Sequence, residues 1–233
     1  MKLVQSILTK NDCYKSGRKI TVKGLMLHSV GCPQSNASVF VKNWNRSDLE
    51  ACVHGFIDGN TGTVYQTLPW NHRGWHAGGA ANNTHIGVEM CEPACIKYTS
   101  GANFTCSDLT TAKAVAKRTY EAAVELFASL CKQYGLDPMK DGVIISHREG
   151  CARGLASNHG DPEHLWNQLG TGYTMNGFRK AVQADMKGGG VTTTPNAEKP
   201  TTGGTGATVK PYLVRVTIPD LYIRKGPGTN YGK

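Results

Sequence analysis

A chain of 233 residues is longer than one ordinary core requires and shorter than two full-size domains occupy, so one catalytic-size domain with a smaller appendage is the natural organisation. With 39% hydrophobic and 18% charged residues it can bury a core, and no apolar run approaches the ~20 residues of a membrane span, so membrane insertion is not expected. The net charge of +9 calls for an anionic partner, but nucleic-acid binding would need a basic face interleaved with aromatics, and these lysines are scattered.

From the N-terminus, Met1 to Lys23 carries Lys2, Lys10, Lys15 and Arg18 but no apolar core of the roughly 7–15 residues found in secretory signals, so the chain is expected to be made in the cytoplasm without such a signal. Val22 to His28 (VKGLMLH) is a short apolar strand, and Ser38 to Trp44 is a brief helix behind the cap candidate Asn36. Cys52–Ile57 and Thr63–Leu68 flank Asp58, Gly59 and Asn60, a hairpin signal, and Ile86 to Met90 is another buried strand. The clearest helix runs from about Asp108 to Tyr134: Ser107 is its candidate cap, Ala112, Ala116, Ala123, Phe127, Leu130 and Tyr134 form its apolar stripe, and Gly135 with Pro138 ends it. Val143 to Ser146 is a last strand leading into His147, and Asn176 to Met186 has weaker helical character. The series predicts an α/β fold, a mixed central β-sheet flanked by helices, over residues 1–187.

Composition changes at Gly188. Residues 188–210 are a Gly, Thr and Pro stretch that cannot bury enough surface to fold and reads as a linker. Residues 211–233 return to alternation and resemble the opening of a bacterial SH3-like wall-binding domain, of which about two strands are present. Eight cysteines are present without the paired CxxC spacing of a structural zinc site, and a chain made in a reducing cytosol is expected to keep most of them as reduced thiols, with a Cys91–Cys95 or Cys91–Cys106 bridge as the alternative.

The chemistry is sought first among histidines. Zinc needs neutral imidazoles or anionic ligands held rigidly, and His28 and His147 both sit at strand ends. A third ligand is offered by Cys151, His159 or Asp161 in the polar loop REGCARGLASNHGDPEHLW, whereas His72, His85 and His164 are read as structural. Glu89 lies within a buried strand, where a carboxylate is costly unless paired or functional, and Glu92 is its rival.

These pieces, LHSVG at His28, HGFIDGNTGTVYQ from His54, GWHAGG around His76, HIGVEMCEP containing Glu89 and SHREG with NHGDPEHLW from His147 to Trp166, stand in the order found in the type 2 N-acetylmuramoyl-L-alanine amidases, which share a fold with peptidoglycan recognition proteins. The resemblance runs from roughly Val22 to Trp166 and is especially similar to phage and prophage endolysins of Gram-positive bacteria. It implies a zinc enzyme that hydrolyses the amide joining N-acetylmuramic acid to L-alanine in peptidoglycan, an endolysin or autolysin acting on the cell wall after release through a holin or by lysis. Carried over by position, it makes His28, His147 and Asp161 the Zn2+ ligands, Glu89 the catalytic carboxylate and His159 an oxyanion donor where many relatives have lysine. His54, Trp75 and His76 are expected to touch substrate, with Trp75 and His76 lining a groove. The chain departs from the relatives that place a catalytic tyrosine before His54, since Val53 stands there, and the base role then falls on Glu89. The alternatives are a non-catalytic peptidoglycan-recognition module with the same fold, and a cysteine peptidase built on Cys52 or Cys32.

Overall fold

The computed structural model describes residues 1–188 of the chain. The expected linker beyond Gly188 and the SH3-like segment at 211–233 lie outside the described residues. In chain order the elements are β1 (Leu3–Gln5), α1 (Asp12–Lys15), β2 (Gly24–Ser29), α2 (Ala37–Trp44), β3 (Gly55–Ile57), β4 (Val64–Gln66), a 3-10 turn at Ala80–Asn83 and β5 (His85–Met90). They continue with β6 (Ile96–Ser100), β7 (Asn103–Cys106), α3 (Leu109–Tyr134), β8 (Ile144–Ser146), α4 (His147–Ala152), α5 (Glu163–Leu169) and α6 (Met175–Met186). Six strands form one mixed sheet in the order β1-β4-β3-β5-β2-β8, in which β2 runs parallel to β5 on one side and to β8 on the other. The Asp58–Asn60 signal marks a true antiparallel hairpin, β3 with β4, although both strands are shorter than their apolar runs.

The sheet's alternation decides where chemistry can go. On β2, Leu25 and Leu27 enter the large core beneath α3 and α6, and on β5, Ile86, Val88 and Met90 do the same. The intervening residues, Met26 and His28 on β2 and Gly87 and Glu89 on β5, face the other way because successive side chains on a strand point to opposite faces. Each large side chain buried under α3, such as Phe127, contributes about 1.5–3 kcal/mol. That packing anchors the sheet and leaves its opposite face free to carry polar groups.

Local signals explain most element ends. Asn36 accepts the backbone N–H of Ser38 at the start of α2, as the sequence suggests. Helix α3 is capped by Asp108, whose carboxylate accepts from Thr111 N–H at 2.9 Å, and not by Ser107, whose hydroxyl donates to the Cys95 carbonyl. Gly135 ends α3 in the left-handed conformation, at φ 63°, that favours glycine. All eight cysteines are free. Cys91 is buried beside Phe56 in one cluster while Cys95 and Cys106 belong to another, which removes both bridges considered for Cys91.

Candidate metal centre and its cleft

Three adjacent parallel strands, β5, β2 and β8, end together, and the crevice outside the carboxyl ends of such strands is where open α/β sheets bind ligands. His28 is the penultimate residue of β2 and stands in register with Glu89 on β5. His147 follows β8 directly as the first residue of α4, where a capping box between Ser146 and Glu149 fixes the turn. Asp161 enters from the loop before α5. His28 Nδ1 lies 3.1 Å from His147 Nδ1 and 3.3 Å from Asp161 Oδ2, and His147 Nδ1 lies 3.5 Å from Asp161 Oδ1. All three residues are buried, and their ligand atoms lie within 4.8 Å of one another.

The outer ring nitrogens explain why the inner ones converge. His76 Nε2–H donates to the His85 carbonyl at 3.1 Å, which leaves His76 Nδ1 as an acceptor for His28 Nε2–H at 3.0 Å. His28 therefore presents its Nδ1 lone pair inward. His147 Nε2 is 3.2 Å from the Ser157 hydroxyl, and donating there turns the His147 Nδ1 lone pair toward the same point. Two lone pairs 3.1 Å apart repel unless a proton or a cation lies between them. With a carboxylate beside them, two imidazoles form a donor set that fits zinc, and the outer hydrogen bonds orient them as metal-bound histidines require. The three groups also set one another's affinity for protons. Burial lowers the pKa of His28, but the hydrogen bond to Asp161 and the Glu89 charge outweigh it and leave it raised. Burial and the His28 charge bring His147 down to about 4. Burial works against the ionised Asp161, yet the two imidazoles hold its carboxyl below the ordinary range.

The centre opens into a cleft of about 590 Å³ lined by Glu89, Trp75, His76, Tyr98, His159 and His164 among others. Glu89 Oε2 is buried there without a hydrogen-bond partner, and burial, followed by the charges of Asp161 and Glu92, pushes its carboxyl up to about 8 against the pull of His28. Glu92 differs: its oxygens accept from Gly31 N–H at 3.1 Å and from the Tyr98 hydroxyl at 2.7 Å, so the rival carboxylate is already committed. His159 is exposed at the rim with its ring 4.5 Å from that of His147. Trp75 is 45% exposed, with the Arg73 guanidinium 5.0 Å over its ring.

The remaining expected site residues differ in what their atoms touch. His54 is fully buried, its Nε2–H donates to the His72 carbonyl at 2.8 Å and its Nδ1 accepts from Gly87 N–H at 3.0 Å, so it has no atom to offer a substrate. His76 borders the cleft, but both its nitrogens are engaged and its place is behind His28. Cys151 contacts Asn158 and stands apart from the ligand cluster. Neither cysteine nominated as a nucleophile has thiolate character: Cys52 is buried and pushed far up, and burial with the charges of Glu92 and Glu89 raises Cys32 to about 11. Tyr98, Ser157 and His164 line the cleft without having been singled out for it; the Tyr98 hydroxyl lies 2.7 Å from His164 Nε2, a contact between residues 66 apart in sequence.

Residues 17–164 match the family model described as N-acetylmuramoyl-L-alanine amidase. Two proteins of Bacillus subtilis (strain 168) are similar: N-acetylmuramoyl-L-alanine amidase XlyA, 36% identical over 78 residues, and N-acetylmuramoyl-L-alanine amidase CwlH, 37% identical over 79. Each match covers 32% of this chain, and it spans only 25% of XlyA and 30% of CwlH. Among solved structures, the catalytic domain of XlyA is similar in fold at a TM-score of 0.56 and 19% identity, over 78% of this chain and 99% of that one. The Staphylococcus aureus hydrolase AmiA, solved with its ligand, gives 0.57 and 20% over 82% and 87%. With the family model spanning well over half its length, from ahead of β2 to the start of α5, the chain belongs to the N-acetylmuramoyl-L-alanine amidase family.

Proposed function

We propose that this chain hydrolyses the amide bond between N-acetylmuramic acid and L-alanine of bacterial peptidoglycan, with a zinc ion held by His28, His147 and Asp161. The observation that carries the proposal is the convergence of two lone-pair-bearing Nδ1 atoms and a carboxylate next to the unpartnered Glu89 Oε2 in one cleft. Zinc, when bound, supplies a Lewis acid that polarises the scissile carbonyl and acidifies water. Glu89 accepts the proton of the attacking water, a role suited to a carboxylate whose affinity for protons is raised by burial, and returns it to the leaving amine. His159 at the rim donates to the oxygen on which charge develops. Trp75, exposed along the cleft wall, offers an apolar face to the sugar or the peptide.

The likeness to XlyA and CwlH supports the cell wall as the place of action. An endolysin role, with residues 211–233 as part of a wall-binding module, is the organisation we favour. The test is direct: purified protein is assayed for metal and for release of stem peptides from peptidoglycan, with and without a chelator. About one zinc per chain, loss of release on chelation and recovery with zinc are expected. Full activity in metal-free protein overturns the zinc assignment, and binding without release overturns the enzyme assignment in favour of a recognition module.

A further inference from the structure

None of the eight thiols takes part in the chemistry above, yet two that are 39 positions apart in sequence share one packed cluster beside Trp75. Cys13, in α1, packs in one cluster with Leu8, Leu68 and Cys52. Cys52 is fully buried and forms an isolated antiparallel bridge with Trp75, Cys52 N–H donating to the Trp75 carbonyl at 3.1 Å and Trp75 N–H to the Cys52 carbonyl at 2.8 Å. Cys13 itself is half-exposed in a second cleft of about 340 Å³, shared with Arg18, Arg73 and Trp75. Trp75 thus borders both clefts.

The two thiols are unequal. The Cys52 thiol, followed by Arg73 and Arg18, holds Cys13 below the ordinary thiol range despite its partial burial and the nearby Asp12, while Cys52 stays protonated. An accessible thiol flanked by arginines with a buried thiol behind it is the arrangement of an attacking and a resolving cysteine. The pair Cys95 and Cys106 shares a different cluster, but there the Cys95 thiol donates to the Asp108 carbonyl and is raised by burial.

We propose that Cys13 and Cys52 form a thiol–disulfide exchange site that closes into a disulfide when the protein meets a low-molecular-weight disulfide. The Cys13 thiolate attacks one sulfur of the small disulfide and expels the first small thiolate, leaving a mixed disulfide on Cys13. Cys52 then gives up its proton to the departing small thiolate as its sulfur attacks Cys13 Sγ, and the second small thiol leaves. Two protein S–H bonds and one external S–S bond become one protein S–S bond and two external thiols, so the small disulfide is reduced and the protein oxidised. The new bond ties α1 to the segment paired with Trp75, outside the metal centre.

The full chain is incubated with oxidised glutathione, unfolded, alkylated at its remaining thiols and mapped by peptide mass spectrometry. A Cys13–Cys52 cross-link reversed by dithiothreitol is expected, together with a rise in Tm of roughly 5–10 °C from the closed loop. Cys52→Ala should trap glutathione on Cys13, and Cys13→Ser should leave Cys52 unmodified. Because Cys52 is buried and its replacement can disturb folding, the exposed-side variant Cys13→Ser and the wild-type map decide the matter independently. Alkylation of both Cys13 and Cys52 after oxidation, a cross-link confined to Cys95 and Cys106, or glutathione resting on wild-type Cys13 without a cross-link overturns the proposal.

Discussion

His28, His54, His76 and His147 lie ring against ring, with centroids 4.9–5.8 Å apart, yet they divide by what their nitrogens touch. His28 and His147 each turn one free lone pair inward, His76 passes its acceptor to His28, and His54 is consumed by the backbone. The converging pair was legible in sequence because a histidine at a strand end is held rigidly, and the carboxylate because charge within an apolar strand demands a reason. The fates of His54 and His76 were not legible, since no pattern of residue types reveals which carbonyl or amide a ring nitrogen will meet. Two expectations belong at this scale. Glu89→Gln should retain zinc and lose roughly 10²-fold or more in turnover; a variant near the wild-type rate would move the base elsewhere. His76→Ala removes the acceptor that fixes the His28 tautomer, so zinc affinity measured by competition with a chelator should fall about 10- to 100-fold, and unchanged affinity would show that His28 needs no such support.

Elements with strong patterns were legible and short polar ones were not. The stripe of α3 and the apolar runs of β2, β5 and β8 carry enough residues for their period to show, and Asn36 and Gly135 mark ends by known local chemistry. The three-residue β1, the four-residue α1 and the β6–β7 hairpin are too short or too polar to stand out, and α4 hides because its first residue is also a metal-site candidate. Missing that hairpin meant missing Tyr98, one of the cleft residues it carries. Gly87 shows how an element serves the site. It sits on the face of β5 opposite the α3 core, and a Cβ there would come within 2.4 Å of the His76 ring. Only a residue without a side chain lets that ring stand behind His28. Gly87→Ala should therefore push His76 aside, lowering zinc affinity together with thermal stability; a variant that is less stable but binds zinc normally would mean that the ring has room to relax.

At the scale of the whole molecule, pH reports how the site depends on the fold. Composition announced a basic chain but left its partner open, whereas the buried titratable groups make a narrower statement. Burial holds His54 neutral and takes its pKa from 6.5 to about 4, against the backbone hydrogen bond to the His72 carbonyl, while its Nδ1 accepts from Gly87 N–H. Between those values the unfolded chain binds a proton that the native chain refuses, so the stability contributed by His54 is complete above pH 6.5 and is lost as pH falls toward 4, by up to about 3 kcal/mol. Glu92 and Glu163 act in the opposite sense. Burial raises both to about 7 from 4.5, so the native state holds protons that the unfolded chain has released and their contribution falls as pH rises through that window. The total curve sums opposing slopes and identifies no single group, but a difference between two proteins does. With chelator present in both samples, urea unfolding of wild type and His54→Gln should give a stability gap that narrows steadily from pH 6.5 to 4, because only the unfolded wild type gains at residue 54 a proton that its folded form refuses. A gap independent of pH across that range would mean that His54 reaches solvent or a proton acceptor in the native state, and the backbone lock joining β5 to the segment before β3 would have to be abandoned.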